Sequence, residues 1–285
     1  MSPAGAEPFL DADPTMVLIR ATLLDALEAL TAQLAAVVVI GAQAVYLHTG
    51  AAQVALAEFT KDSDLALDPR VLDDDPAVDG AMEAALFYHA PGAQPGSWMS
   101  PRGIPVDLMV PELLAGSGGA QARGARIDPH GRMTARRAVG LEAAVVDAAL
   151  TEITALDPDD RRTYTVRVAG PAALLVAKLH KIAERIETPR RLMNKDAHDV
   201  YRLLQAVPTK TISDALQKLV ADPLSEAVTR QALVHLQGLF ADGPDATGSM
   251  MAGRAEEGIG DPEQVAVAVS LLASDLLSAT QQQSS

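Results

Sequence analysis

The sequence predicts an α+β fold in which strands and helices alternate first and helices alone follow. Apolar runs of strand length, bounded by glycine, proline and acidic residues, occur before residue 170. From Pro171 onward, apolar residues recur at helical spacing. We therefore expect an α+β core over residues 15–170, a helical C-terminal domain over 171–280, and flexible tails at 1–14 and 281–285.

Turns and breakers define the first elements. Thr15 is suited to cap a helix in which leucines recur at helical spacing. Gly41 breaks a buried-strand pattern, and Asp73-Asp74-Asp75 favours a helix N-terminus because anions are stabilised there. The expected elements are a helix over 15–34, a strand over 36–40, a helix over 42–48, a strand over 60–67 and a helix over 73–87.

Turn residues divide the rest of the core. Pro101-Arg102-Gly103 joins two strand patterns in a hairpin, and Asp157-Pro158-Asp159-Asp160 separates two more. The glycine-rich stretch between them lacks the Gly-Lys-Ser/Thr ending of a phosphate-binding loop, so we expect an ordinary loop. The expected elements are strands over 97–100 and 104–110, a loop over 115–126, and strands over 151–156 and 164–168.

The helical part begins at Pro171, which suits the first position of a helix. The expected helices cover 171–187, 194–206, 211–220, 223–240 and 262–279.

Composition limits the class of protein. The chain has 285 residues, 48% of them hydrophobic, which allows a sizeable core. Because it has no cysteine, disulfides, thiolate metal ligands and cysteine nucleophiles are excluded. No signal-peptide pattern opens the chain, and its longest apolar stretch is too short to span a bilayer. We expect a cytoplasmic protein with no membrane partner.

Three aspartates suggest a metal site. Asp62 and Asp64 lie one residue apart on a predicted strand, so their side chains point to the same face. Asp107 lies on a neighbouring predicted strand. Three converging carboxylates repel one another unless a cation lies between them, and Mg²⁺ prefers such oxygen ligands. We expect all three to be catalytic metal ligands in a two-metal site; the alternative is an ordinary strand end with unpaired carboxylates.

Other residues are candidates for binding phosphate. Gly41 ends a strand before a helix N-terminus, where anions are favoured, although a plain turn has the same pattern. Lys61 is either a ligand or a charged strand end. Lys178 shares one face of its helix with Lys181 and Arg185, and it is either a phosphate ligand or part of a solvated basic face.

The next helix carries acidic residues that have several interpretations. Asp196 and Asp199 share a face and are most simply partners of Lys178 or Lys181 in a structural ion pair. His180 and His198-Asp199 also have a faint likeness to an HD-type metal phosphohydrolase. That site needs its ligands deep in a helical bundle and leaves the strand carboxylates without a role, so we do not favour it.

Charge is unevenly distributed along the chain. The net charge is −14, but residues 121–195 hold 14 Lys/Arg and 9 Asp/Glu, a local excess of +5. This stretch is either a solvated surface or a patch that faces a polyanion. On the second interpretation, RNA is guided by Arg123, Arg126, Arg132, Arg136, Arg137, Arg190, Arg191 and Lys195.

These motifs, taken in order, resemble the AbiEii/MenT-type nucleotidyltransferases, which are toxins or toxin-like proteins of type IV toxin–antitoxin systems in the polymerase-beta superfamily. The matching pieces lie within residues 36–205: Ile40–His48, Lys61-Asp62-Ser63-Asp64, Val106-Asp107-Leu108, Ala177–His180 and Asp196–Val200. The resemblance implies a polymerase-beta-type core with a mixed sheet. It also implies Mg²⁺-dependent transfer of a nucleotide from a nucleoside triphosphate (NTP) to an acceptor, which is the 3′ end of tRNA in studied relatives, and a cognate antitoxin as partner.

The resemblance also implies roles for single residues. Asp62 and Asp64 would bind metal, Lys178 would meet the triphosphate, and Asp199 falls in the family's C-terminal acidic motif. With Lys178 and Asp199, the nucleotide would be bound by Gly41, Ala42 and Lys61. The family usually has Gly-Gly or Gly-Ser where this chain has Gly41-Ala42, so no hydroxyl is available there and backbone amides would hold the phosphate.

Three alternatives to an RNA acceptor stay open. Nucleotidyl transfer to a protein hydroxyl or to an aminoglycoside-like small molecule would use the same metal site. A degenerate, non-catalytic protein would use the fold only to bind a nucleotide or a partner.

Overall fold

The protein, described by a computed structural model over residues 13–50, 62–118 and 122–282, has the predicted α+β architecture: a mixed sheet with helices, followed by helices alone. The strands are β1 (Val37–Ile40), β2 (Ser63–Leu67), β3 (Ser97–Met99), β4 (Pro105–Pro111), β5 (Arg136–Ala138), β6 (Ala148–Thr154) and β7 (Thr163–Ala169). The α-helices up to the last strand are α1 (Pro14–Ala29), α2 (Gly41–Thr49), α3 (Val78–Ala84) and α4 (Glu142–Val146). Those after it are α5 (Pro171–Ile186), α6 (Asn194–Ala206), α7 (Thr209–Ala221), α8 (Glu226–Leu236), α9 (Thr247–Arg254) and α10 (Pro262–Gln282).

The described strands form one mixed sheet in the order β3-β4-β2-β1-β7-β6. β5 extends the β3 side of the sheet, because β3 pairs with the first half of β4 and β5 with its second half. β2 runs parallel to β4 and antiparallel to β1, whereas β1 and β7 are parallel. This order puts the two aspartate-bearing strands side by side.

The burial of the central strands explains why they could be predicted from the sequence. Every residue of β1 and β2 is buried, as expected of strands covered on both faces. β6 lies at the edge of the sheet, and its Leu150 is exposed. Its alternation is therefore weaker, and the strand begins at Ala148, three residues earlier than expected.

The hydrophobic core is continuous through both parts of the chain. One cluster of buried side chains extends from Leu23 on α1 to Leu277 on α10. α5 and α6 pack against α2 and so join the helical part to the sheet. A division near residue 170 stays a prediction. Among the described residues, no helix combines the length and the apolar character needed to cross a membrane.

The predicted start of the helix expected over 73–87 is wrong. α3 begins only at Val78, and the acidic segment before it is not helical. The side-chain amide of Gln33 accepts a hydrogen bond from the N–H of Asp73 at 2.9 Å. It also donates to the carbonyl oxygens of Asp73 and Pro76, both at 2.8 Å. Pro76 also opposes a helix here, because it has no N–H to donate and it disfavours the helical backbone conformation of the residue before it.

Other differences concern short elements and helix ends. α1 ends at Ala29 and is followed by a 3₁₀ turn over Thr31–Gln33, so the helix expected to reach residue 34 is shorter. The helix expected over 223–240 begins at Glu226 and continues past Leu236 as a π-helical turn, Gln237–Ala241. β5, α4 and α9 were not predicted, because runs of three to eight residues show little periodicity.

Candidate active site

The structure brings the three predicted aspartates together. Asp64 on β2 lies opposite Asp107 on parallel β4, and Asp62 immediately precedes β2. One carboxylate oxygen from each of the three lies within 4.8 Å of the other two. Among the described residues, this is the one group of three or more acidic, histidine or cysteine side chains arranged to hold a metal ion.

The electrostatics of this cluster favour a cation. Burial of Asp64, followed by the charge of Asp62, raises the pKa of Asp64 from 3.8 to about 6; Asp107 also raises it, while Lys181 and Lys178 oppose the shift. The Oδ1 atom of Asp62 is buried without a hydrogen-bond partner among the described residues. Mutually repelling carboxylates, with one oxygen buried and lacking a described partner, are the oxygen donors that Mg²⁺ prefers, so the residues fit the ion that the sequence implies.

Gly41 is tightly packed against this cluster. It opens α2 directly after β1 with a φ angle of +67°, which side-chain-bearing residues rarely adopt. A Cβ atom at this position would overlap the carboxylate of Asp64. The glycine is therefore required at the turn for two reasons: the backbone conformation itself and the close approach of the Asp64 carboxylate.

An arginine on β5 contacts the third aspartate. Arg136 Nη1 lies 2.8 Å from Oδ2 of Asp107, and Arg136 Nη2 donates to Sδ of Met109 at 3.1 Å. One oxygen of Asp107 is therefore already paired with a cation. This contact was missed in the sequence, because β5 has only three residues and pairs with β4 across a long loop.

Of the three aspartates, Asp64 lines a cleft of about 730 Å³, which is within the usual range for ligand sites, and Asp62 and Asp107 do not. Gly41 also lines the cleft, and none of the described lining residues is aromatic. The lining is rich in cations, namely Arg123, Arg136, Arg137, Lys178, Lys181, Arg185 and Arg191. An acidic cluster beside a cationic cleft is suited to a polyphosphate with its metal.

The Lys178 side chain is buried between α5 and α6. Its Nζ atom lies 3.0 Å from Asp196 and 2.6 Å from Asp199. Burial alone would lower the pKa of Lys178, but the two carboxylates raise it well above its usual value. The predicted ion pair with the next helix is present, and Asp199 is committed to it rather than exposed in the cleft.

Asp196 binds three cations of α5. Besides Lys178, its carboxylate contacts Lys181 at 3.0 Å and Arg185 at 3.1 Å. Burial acts to raise the pKa of Asp196, but Lys178 and Lys181 hold it far below the ordinary range. The network fixes the cationic face of α5, defined here as Lys178, Lys181 and Arg185, toward the cleft.

Some of the remaining predicted site residues line the cleft and others do not. Ala42 is described but does not line the cleft, and Lys61 lies outside the described residues. Of the eight predicted RNA-guiding cations, four line the cleft, namely Arg123, Arg136, Arg137 and Arg191, and the other four do not. Arg137 is held by Glu112 at 2.9 Å. The guanidinium groups of Arg123 and Arg191 have no ion-pair partner among the described residues.

The HD-type alternative gains no support. His180 Nε2 contacts the carbonyl oxygen of Val228 and its ring lies against His235, whereas His198 pairs with buried Glu256 at 2.6 Å. The histidines are thus occupied by separate structural contacts, and no metal-binding group that includes them exists among the described residues.

Comparisons with known proteins give little beyond this geometry. No protein-family model matches the chain, and no curated protein matches it. A crystal structure described as a "putative nucleotidyltransferase" from H. pylori aligns over 94% of this chain and 97% of its own, with 11% sequence identity and a TM-score of 0.32. A TM-score this low does not establish a shared fold or activity.

Proposed function

We propose that the protein is a Mg²⁺-dependent nucleotidyltransferase that moves a nucleotide from an NTP to an acceptor. The observation that supports this most is the convergence of Asp62, Asp64 and Asp107 beside a cationic cleft, with one buried oxygen that lacks a partner among the described residues. The order of the motifs along the chain, which resembles the AbiEii/MenT-type enzymes, agrees with the same activity.

In this proposal the three aspartates hold Mg²⁺, and the positive charge of α5 faces the triphosphate across the cleft. Mg²⁺ bound there supplies the charge that activates an attacking hydroxyl and stabilises the leaving pyrophosphate. The N-terminus of α2, at Gly41, lines the cleft and favours anions through its backbone N–H groups. Without a hydroxyl at Ala42, only backbone groups of this turn are available to phosphate.

We further propose that the acceptor is an RNA end, and the resemblance favours the 3′ end of tRNA. The cleft has more cations than a triphosphate needs, and two of them, Arg123 and Arg191, have no described ion-pair partner. A polycationic aminoglycoside would be repelled by such a surface, so the geometry disfavours that acceptor. A role as a cytoplasmic toxin controlled by a cognate antitoxin is the biological setting that the resemblance suggests.

The acceptor can be identified by incubating the protein with each α-labelled ribonucleoside triphosphate, Mg²⁺ and a cell extract. We expect the label to enter a product that is destroyed by ribonuclease and resists protease. Label in a protease-sensitive product would replace RNA with a protein acceptor. Label in a product of low mass that resists both treatments would favour a small molecule.

Replacing Arg123 and Arg191 together with alanine should weaken RNA binding and reduce its dependence on salt. For single-stranded RNA, each lost phosphate contact should reduce the slope of log affinity against log salt by roughly 0.7. Affinity measured by fluorescence anisotropy at several salt concentrations checks this. The matched control is Arg230→Ala, which removes an exposed cation whose one described ion-pair partner is Glu226 on α8. Equal salt slopes for wild type and the double variant would remove these arginines from the acceptor site.

A further inference from the structure

We propose that Lys181, and not Lys178, binds the triphosphate directly, and that Lys178 is a positioning residue that fixes α5 to α6. This inference rests on the proposed function, since it assigns roles within the same nucleotide site. The cations of the α5 face follow one another at i, i+3 and i+7, so all three reach the cleft from one side of the helix. Their environments nevertheless differ.

Lys178 has little freedom to bind a ligand. Its side chain is only 8% exposed, and its ammonium group contacts two carboxylates, Asp196 and Asp199. Moving it toward a phosphate would leave Asp199 buried without its cation, because Lys178 is the only ion-pair partner of Asp199 among the described residues. An uncompensated buried charge is strongly unfavourable.

Lys181, in contrast, is partly exposed and is free to move toward a ligand. Its side chain is 34% exposed, and its single described ion-pair partner is Asp196. Asp196 would keep both Lys178 and Arg185 if Lys181 left it. The long, flexible lysine side chain can therefore move to a ligand without leaving an unpaired carboxylate behind.

Lys181 lines the same cleft as Asp64, and its side chain is more exposed than that of Lys178. A triphosphate bound beside Asp64 would therefore find Lys181 the more accessible of the two lysines.

The test compares binding of Mg²⁺-NTP and of the matching nucleoside monophosphate to the full chain. Lys181→Ala should weaken NTP binding about 10- to 100-fold, the usual effect of one lost charge-assisted contact, while monophosphate binding changes little. Its melting temperature should stay close to that of wild type. The control Lys210→Ala removes an exposed cation of α7 that pairs with Asp214, and should leave both affinities unchanged.

Lys178 needs a second variant, because Lys178→Met alone leaves Asp199 without its described cation and is expected to melt at a much lower temperature. The double change Lys178→Met with Asp199→Asn removes one charge of each sign and should recover much of the lost stability. We expect this double variant, where folded, to bind NTP within about threefold of wild type.

Two results would overturn the inference: NTP affinity unchanged in Lys181→Ala while wild type binds, or a folded double variant that has lost NTP binding. A third result would also contradict the inference. If the double variant neither recovers stability nor binds NTP, Lys178 does more than position α5. If wild type itself binds no NTP in the presence of Mg²⁺, the proposed function fails and this inference fails with it.

Discussion

Asp64→Asn is expected to abolish nucleotide transfer, by at least about 1,000-fold, while the metal-free protein becomes as stable as wild type or more stable. The Asp64 carboxylate is one of the three clustered aspartates, and Asp64 lies opposite Asp107 in the sheet. Removing its charge removes a metal ligand but also relieves repulsion and desolvation. The raised pKa of Asp64, from 3.8 to about 6, corresponds to a gain of up to ~3 kcal/mol at neutral pH.

The direction of this change in stability can be checked by measuring unfolding as a function of pH. Because the folded-state pKa is raised, the contribution of Asp64 to stability is fully present below the unfolded value of 3.8 and is lost as the pH rises through about 6. Metal-free wild type should therefore lose stability relative to Asp64→Asn over this pH range. Added Mg²⁺ should raise the melting temperature of wild type and not that of the variant.

Asp68→Asn is the matched control on the same strand segment. Asp68 follows β2, is buried, and pairs bidentately with Arg70 at 2.8 Å. Burial acts to raise the pKa of Asp68, but its hydrogen bonds to Arg70 hold it below the usual value. The Asp68→Asn variant should lose stability at neutral pH and keep Mg²⁺ binding. A large loss of stability in Asp64→Asn would instead indicate that Asp64 has a structural role.

Gly41→Ala is expected to damage both folding and the metal site. The substitution forces a side-chain-bearing residue into a φ of +67°, which costs about 1–2 kcal/mol, and its methyl group would displace the Asp64 carboxylate. We expect a clear drop in melting temperature together with loss of stabilisation by Mg²⁺.

Gly103→Ala separates the two causes. Gly103, in the β3–β4 turn, has a φ of +75°, and a Cβ atom there would meet nothing within 4 Å among the described residues. This variant should show the backbone cost alone and respond to Mg²⁺ like wild type. If Gly41→Ala still binds Mg²⁺ normally, the close packing of Gly41 on Asp64 has no consequence for the site.

The aspartate cluster could be predicted because its geometry is local to two strands. Alternation places Asp62 and Asp64 on one face, and the alternating apolar residues around Asp107 identify a second strand. Parallel pairing then brings Asp64 and Asp107 side by side. The ion pairs between α5 and α6 were among the alternatives for a similar reason, since i, i+3 spacing fixes which residues share a helix face.

What could not be predicted depends on contacts between distant segments. Arg136 reaches Asp107 through a three-residue strand that has no periodicity of its own. The segment before α3 is held by Gln33, which lies about 40 residues earlier and satisfies backbone groups that a helix would otherwise use. The difference between Lys178 and Lys181 also depends on packing, because both occupy the same face of α5.

The most direct test of nucleotidyl transfer is the stoichiometry of pyrophosphate release. Wild-type protein is incubated with an α-labelled NTP, Mg²⁺ and cell RNA, and pyrophosphate and acceptor-bound label are counted together. We predict one pyrophosphate for each nucleotide incorporated, with neither product formed when Mg²⁺ is chelated or when Asp64 is replaced by asparagine. Absence of pyrophosphate and label with every ribonucleoside triphosphate, or equal amounts from wild type and Asp64→Asn, would contradict the proposal.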